Sequence, residues 1–303
     1  MSHRPDIEIP HPRGGLRLRE VLIGCFYVRV PNLQMAEEAS LIIRDFVTLI
    51  GPTVSLSYYD NDGEPDDLTP EALDTILNQR LLGPDRYPNA DIVLTGQGLY
   101  APEHYLWYNG KALDLRPFDT EASYLWFWVP RQFFLSHEED VQKFLESCAS
   151  TLPFSYGYAN LGLSGENKQQ KQALARRYPG LDIAHPGCVS GDIGDKAAGA
   201  YWMNFLGLKL CANLGGVESI RRDLPANFVI RETSAGICEI LLGPQPEIGD
   251  VNRRDVLPDN RALARYFSDH AVLHVPERVV YFEDADGLAD SHEMEEWHTR
   301  FLK

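Results

Sequence analysis

Along this chain, stretches of alternating hydrophobic and polar residues take turns with stretches of helical periodicity, and the two periods mark out the elements. Leu16 to Val30 begins by alternating, Leu16 and Leu18 against Arg17 and Arg19, and then becomes continuously apolar. That pattern predicts a strand entering the middle of a sheet. Pro31-Asn32 stops it. Ala39, Ile42, Ile43, Phe46 and Ile50 then recur at helical spacing, with Glu37, Glu38, Arg44 and Asp45 opposite them. Thr53 to Tyr58 alternates again, so residues 16–58 read as a strand–helix–strand unit.

Asp60 to Asp67 reads as an acidic loop, followed by a short helix from about Pro70 and a short strand from Asp91 to Thr95. His104 to Leu115 places Asn109-Gly110 between two strand-like runs, which predicts a hairpin closed by a type I′ turn. Ala122 to Val129 is a strand dense in aromatics. Ser136 and Glu139 form a capping box ahead of an amphipathic helix carrying Val141, Phe144, Leu145 and Cys148. Phe154 to Leu163 is strand-like, and Asn167 to Arg177 is a basic, exposed helix.

Phe228 to Glu232 and Ile237 to Leu242 flank Ser234-Ala235-Gly236 as a second hairpin. Pro244 to Asp255 is irregular, Pro258 to Phe267 helical, and Val279 to Phe282 a short strand. A last helix, from about Leu288, puts Met294, Trp297 and Phe301 on one face. Hairpins mixed with helices predict an α+β fold of mixed, largely antiparallel β-sheets with packed helices. Residues 1–15 read as a flexible arm, and 16–303 as a single bilobed domain with possible subdomains 16–152 and 153–303.

The stretch from Gly199 to Gly216 holds Trp202, Met203, Phe205, Leu206 and Leu208 within seven residues, more than a solvent-facing segment carries. It closes on Asn213-Leu214-Gly215-Gly216, which supplies the positive-φ positions that end a helix. This is a segment built to hold shape.

The formal charge is −16, with 12 basic and 23 acidic residues in 1–150 against 16 and 21 in 151–303. Such a field repels nucleic acid and anionic membranes and attracts basic partners. Five widely spaced cysteines with no CxxC pair fit a reducing compartment. The N-terminal residues contain no apolar signal-peptide core, and the aromatic run from Tyr124 to Val129 is too short to span a bilayer. A soluble cytoplasmic protein is expected.

Catalytic motifs are sought in turn and fail on their context. Gly96-Gln97-Gly98 imitates a dinucleotide fingerprint, but Pro102 and the strand pattern beyond it leave no helix to receive a pyrophosphate. The acidic run from Asp60 to Glu71 has Pro65 where a calcium loop needs glycine. His292 and His298 are six residues apart, too far for one zinc-binding helix face. No cofactor, metal ion or catalytic residue is therefore expected. What remains is acidic clustering, at Asp60 to Asp67 and from Glu283 onward, beside aromatic strands.

Several blocks resemble the TsiV-like family of type VI secretion immunity proteins, formerly a domain of unknown function. They are Tyr178-Pro179-Gly180-Leu181-Asp182, Trp202 to Gly207, Leu214-Gly215-Gly216, Pro244 to Asn252 and Trp297 to Phe301, in that order. The resemblance implies a non-enzymatic protein that binds a cognate toxin, including nucleases of the restriction-endonuclease type, by occluding its active site or DNA groove. On that reading Asp60, Asp62, Asp66 and Asp67, with Glu283, Asp284 and Asp286, are the electrostatic contacts to a basic toxin, and the resembling blocks are scaffold. No nucleic acid or membrane partner is expected, and the protein would be a monomer or homodimer. Two other classes stay open: an enzyme whose site is assembled from distant carboxylates and histidines, and an adaptor that loads an effector.

Overall fold

The computed structural model describes residues 6–59, 64–115, 119–165, 167–233, 236–275 and 291–303. β1 (Glu8–Pro10) pairs with the start of β2 (Leu16–Val28), in which every residue from Glu20 onward is buried. α1 (Ala36–Ile50) follows, then two short strands, β3 (Ser57–Tyr59) and β4 (Pro65–Asp67). α2 (Pro70–Leu77) starts where Thr69 Oγ1 accepts the Ala72 N–H at 3.1 Å. β5 (Ala90–Thr95), β6 (Tyr105–Gly110) and β7 (Ser123–Pro130) lead into α3 (Arg131–Ser136) and α4 (Glu138–Thr151).

The second half opens with β8 (Phe154–Gly165), α5 (Lys168–Arg177) and the single turn α6 (Pro186–Val189). β9 (Met203–Leu206) and α7 (Leu208–Asn213) lie in the apolar stretch singled out above, and Gly215 and Gly216, at φ 83° and 81°, separate α7 from α8 (Val217–Asp223). The hairpin β10 (Val229–Glu232) and β11 (Cys238–Leu241), then α9 (Pro258–Asp269) and α10 (Ser291–His298), complete the described elements.

The strands form one open 11-stranded sheet in the order β10-β11-β9-β8-β2-β7-β6-β5-β3-β4, with β1 beside β2 and every pairing antiparallel. The fold is α+β, as the mixture of hairpins and helices predicts. β2 lies between β7 and β8, which explains its unbroken apolar run, since a strand flanked on both edges and covered on both faces has no polar side to show. Leu22, Phe26 and Val28 point into the layer of α1, α2 and α4. Val21, Ile23, Cys25 and Tyr27 point into the opposite layer, which α7 to α10 fill. There Met294, Trp297 and Phe301 are buried together, as the spacing of the last helix predicts.

Two glycines in the central strands carry phenyl rings from their neighbours. Gly24 pairs with Phe127 and Gly157 with Phe26, and a Cβ on either glycine would stand 2.2 Å or 2.4 Å from the partner's ring. The missing side chains let both rings lie flat on the sheet, where Phe127 meets Phe144 edge-on at 4.9 Å and Phe26 meets Phe154 at 5.4 Å.

Three local expectations need correction. Asn109-Gly110 is not a turn: both residues continue β6, Asn109 pairing with Asp91 and Tyr124 and Gly110 with Ala90, and neither has positive φ. Gly110 instead makes room for Asn32, whose Oδ1 accepts the Tyr108 hydroxyl at 2.6 Å and would lie 2.2 Å from an added Cβ. Two flanking strands outweigh a dipeptide's turn preference. Ser136 does not cap the helix after it but ends α3, donating to the Gln132 carbonyl at 2.8 Å, and His137 leads α4 without a side-chain cap. Residues 65–67 of the acidic loop are an edge strand. The strand expected over Val279 to Phe282 lies outside the described residues, as does Ser234-Ala235 in the second hairpin.

Asn160 of β8 joins the blocks that carry the family resemblance. Its Nδ2 donates to the Gly180 carbonyl at 2.7 Å and its Oδ1 accepts the Trp202 N–H at 3.2 Å. Gly180 donates to the Ile248 carbonyl at 2.8 Å, Arg177 pairs with Asp250 at 3.0 Å, and Arg300 donates to the Pro179 carbonyl at 2.6 Å over the rings of Trp297 and Phe301. Asp182 accepts the Tyr158 hydroxyl at 2.7 Å and the Ala184 N–H at 2.9 Å; burial pushes its carboxyl above the ordinary range, against the pull of those two bonds. These residues hold the second layer onto the sheet.

Candidate functional site

In a strand, residues paired across neighbouring strands point to the same face. One such row runs Asp67, Ser57, Thr95, Tyr105, Trp128 from β4 to β7. The next rows bring Val93, Trp107 and Trp126 together, and then Asp91, Asn109 and Tyr124. Continued across β2, they reach Ile23, Cys25 and Tyr27, so this is the face that the second layer covers over β2 and β8.

Toward the β4 edge that cover thins out. His185, at the start of α6, sets its ring 5.6 Å from Trp107 and 5.9 Å from Trp126. Beyond it Tyr105, Trp107 and Trp126 are half-buried, while Asp91 and Asp67 are exposed. Tyr105 stacks on Trp128 at 4.1 Å, and Trp126 meets Trp128 edge-on at 4.9 Å. The Trp107 indole donates to Asp91, and the Trp128 indole donates to the Pro102 carbonyl at 2.9 Å. The loop from Gly96 to His104 therefore packs along one end of the face as a strand connection, with no helix at its glycines.

The faces of β7 differ in chemistry. Leu125, Phe127 and Val129 enter the first core, whereas Tyr124, Trp126 and Trp128, each with a polar atom, take the other side. Rigid amphipathic rings held on a sheet and flanked by carboxylates make a surface that loses little entropy on binding and favours a basic partner.

Of the residues expected from the sequence to contact a partner, Asp67 joins this face. Asp66 pairs with Tyr58 and points to the opposite side of the same edge strand. Asp60, Asp62, Glu283, Asp284 and Asp286 lie outside the described residues. Tyr105, Trp107, Trp126 and Asp91 were not among the expected contacts. Their signal is the alternation of Tyr and Trp with aliphatic residues in the two aromatic strands, which a reading of Asn109-Gly110 as a turn obscures.

No group of three His, Cys, Asp or Glu side chains among the described residues is placed to hold a metal ion. His274 Nε2 lies 2.9 Å from Asp192 Oδ1, a carboxylate–histidine pair that lines neither of two shallow clefts, of about 420 and 520 Å³, on α4. No helix of the described residues is long and apolar enough to cross a membrane.

A family model described as TsiV, type VI immunity for VRR-NUC, matches residues 96–301. The chain belongs to the TsiV family. The match takes in β6 and β7 of the aromatic face and all five resembling blocks, while the β3–β4 edge with Asp67 precedes it. Among solved structures the chain is similar to the Pseudomonas aeruginosa T6SS protein PA0821, with 17% identity and a TM-score of 0.79 over 99% of this chain and 88% of that one. That likeness shows a shared fold. No curated protein matches the chain.

Proposed function

We propose that this TsiV-family protein neutralises a VRR-NUC nuclease toxin by docking on it through the aromatic sheet face and the acidic β4 edge, without catalysing a reaction. The observation that carries this reading is the set of neighbouring cross-strand rows from β4 to β7, which places Asp67 and Asp91 with half-buried Trp107 and Trp126 on one side of one sheet. A nuclease presents a basic groove to phosphate, and an acidic, aromatic surface competes for that groove. Asp60, Asp62, Asp66 and Asp67, with Glu283, Asp284 and Asp286, are the residues we assign to steering and contact.

The test is DNA cleavage by the cognate nuclease titrated with this protein. Cleavage should stop near one equivalent of wild-type protein and persist with a Trp107→Ala/Trp126→Ala variant that is shown to be folded. Loading without inhibition, the adaptor alternative, predicts a stable complex that still cuts DNA.

A further inference from the structure

At the far edge of the sheet, on the opposite face from the tryptophans, the β10–β11 hairpin and α4 enclose the cleft of about 520 Å³. Its floor includes Phe205 and Glu239, paired across β9 and β11. Glu239 is 3% exposed, and among the described residues its Oε1 has no hydrogen-bond partner. The other oxygen has only Arg231, its cross-strand neighbour, at 3.7 Å. Thr233 lines the same cleft with a buried hydroxyl that is also without a partner among the described residues. Glu146 adds a carboxylate to the α4 wall, and Lys143 adds an ammonium that is paired with Asp140 at 3.4 Å.

A buried carboxylate oxygen left unpaired is destabilising unless a donor reaches it. Burial raises the Glu239 carboxyl above its ordinary range, against the pull of Arg231, and the charge of Glu146 adds to the rise. Beside the cations Arg231 and Lys143, the cleft thus leaves two acceptors, Glu239 Oε1 and Thr233 Oγ1, without donors next to Phe205. We propose that it is a binding site for a guanidinium or alkyl-ammonium group, received by Glu239 and Thr233 with its methylenes on Phe205. The source is either a free cationic amine or an arginine or lysine side chain of the toxin. The site itself does not depend on the docking face, which lies across the sheet.

The experiment titrates the isotope-labelled full chain with N-acetyl-arginine amide, and with N-acetyl-citrulline amide as the uncharged isostere, following amide shifts by NMR. The expected result is saturable shifts at Thr233, Glu239 and Ser147 with the arginine probe, at least tenfold weaker with citrulline and with Glu239→Gln. Ser150→Phe, from an exposed position on the cleft wall, should block the site without touching the core. Equal responses to the two probes, or full arginine binding by folded Glu239→Gln, would overturn the proposal. Toxin affinity then assigns the source. A tenfold loss with Glu239→Gln points to a toxin side chain, and unchanged affinity points to a free amine. If wild-type protein fails to bind any toxin while the probe still binds, the immunity reading falls and the cation site stands.

Discussion

The Trp107 indole donates its N–H to the carboxylate of Asp91 on the neighbouring strand, so a half-buried tryptophan is fixed beside an exposed negative charge. The bond orients the ring on the open face without burying it. A partner therefore meets a pre-set aromatic surface, and less entropy is lost on binding than with a mobile loop. Replacing Trp107 by Ala should weaken toxin binding by about 2 kcal/mol, roughly 30-fold. Calorimetric titration measures it, and an affinity within twofold of wild type would remove Trp107 from the interface.

On the proposed reading, the carboxylates of the acidic run 60–67 act at longer range. Exchanging Asp60, Asp62, Asp66 and Asp67 for Asn should slow association and flatten its salt dependence while dissociation changes little. Stopped-flow association at two salt concentrations separates the two rates. An unchanged association rate and salt slope would show that these residues do not steer the encounter.

Gly24→Ala and Gly157→Ala each put a Cβ against a buried phenyl ring, at 2.2 Å and 2.4 Å. Each should cost about 1–3 kcal/mol in urea unfolding, because the ring can move only by disturbing the core of α1 and α4. Gly243→Ala, with no atom within 4 Å of the new methyl group and no positive φ, is the control and should be near neutral. Equal stability of all three variants would contradict the packing described for Phe127 and Phe26.

His104 is 4% exposed, neither ring nitrogen has a hydrogen-bond partner among the described residues, and burial holds its pKa down to about 4. Between the ordinary histidine value near 6.5 and about 4, the unfolded chain takes up a proton that the folded chain refuses. The contribution of His104 to stability therefore falls as pH drops through that window, and it levels off below it. His104→Leu should flatten this part of the thermal-midpoint profile. Identical slopes for wild type and variant would show that His104 does not titrate in this way.

Much of the architecture is legible in the chain. β2 announces its central place because Val21 to Val28 lacks a polar side, and α1, α4 and α10 announce themselves through apolar spacing. Local signals failed where the tertiary context was stronger. Asn109-Gly110 has the composition of a turn, yet flanking strands on both sides hold it extended. Ser136 has the composition of a cap, yet the turn before it is already helical. The docking face was half legible, since its acidic part stands out as a charge run. Its aromatic part depends on which of Tyr124, Leu125, Trp126 and Phe127 share a side, and on where the second layer of helices stops. Sequence periodicity reports the first of these and is silent on the second.

Nuclease titration decides whether the toxin is silenced on the tryptophan face. The toxin's DNA cleavage is measured against increasing wild-type protein and against folded Trp107→Ala/Trp126→Ala protein. Inhibition should be complete near one equivalent of wild type, and cleavage should persist at the same ratio with the variant. Equal inhibition by both proteins would place the toxin on another surface, and cleavage undiminished by excess wild type would contradict neutralisation itself.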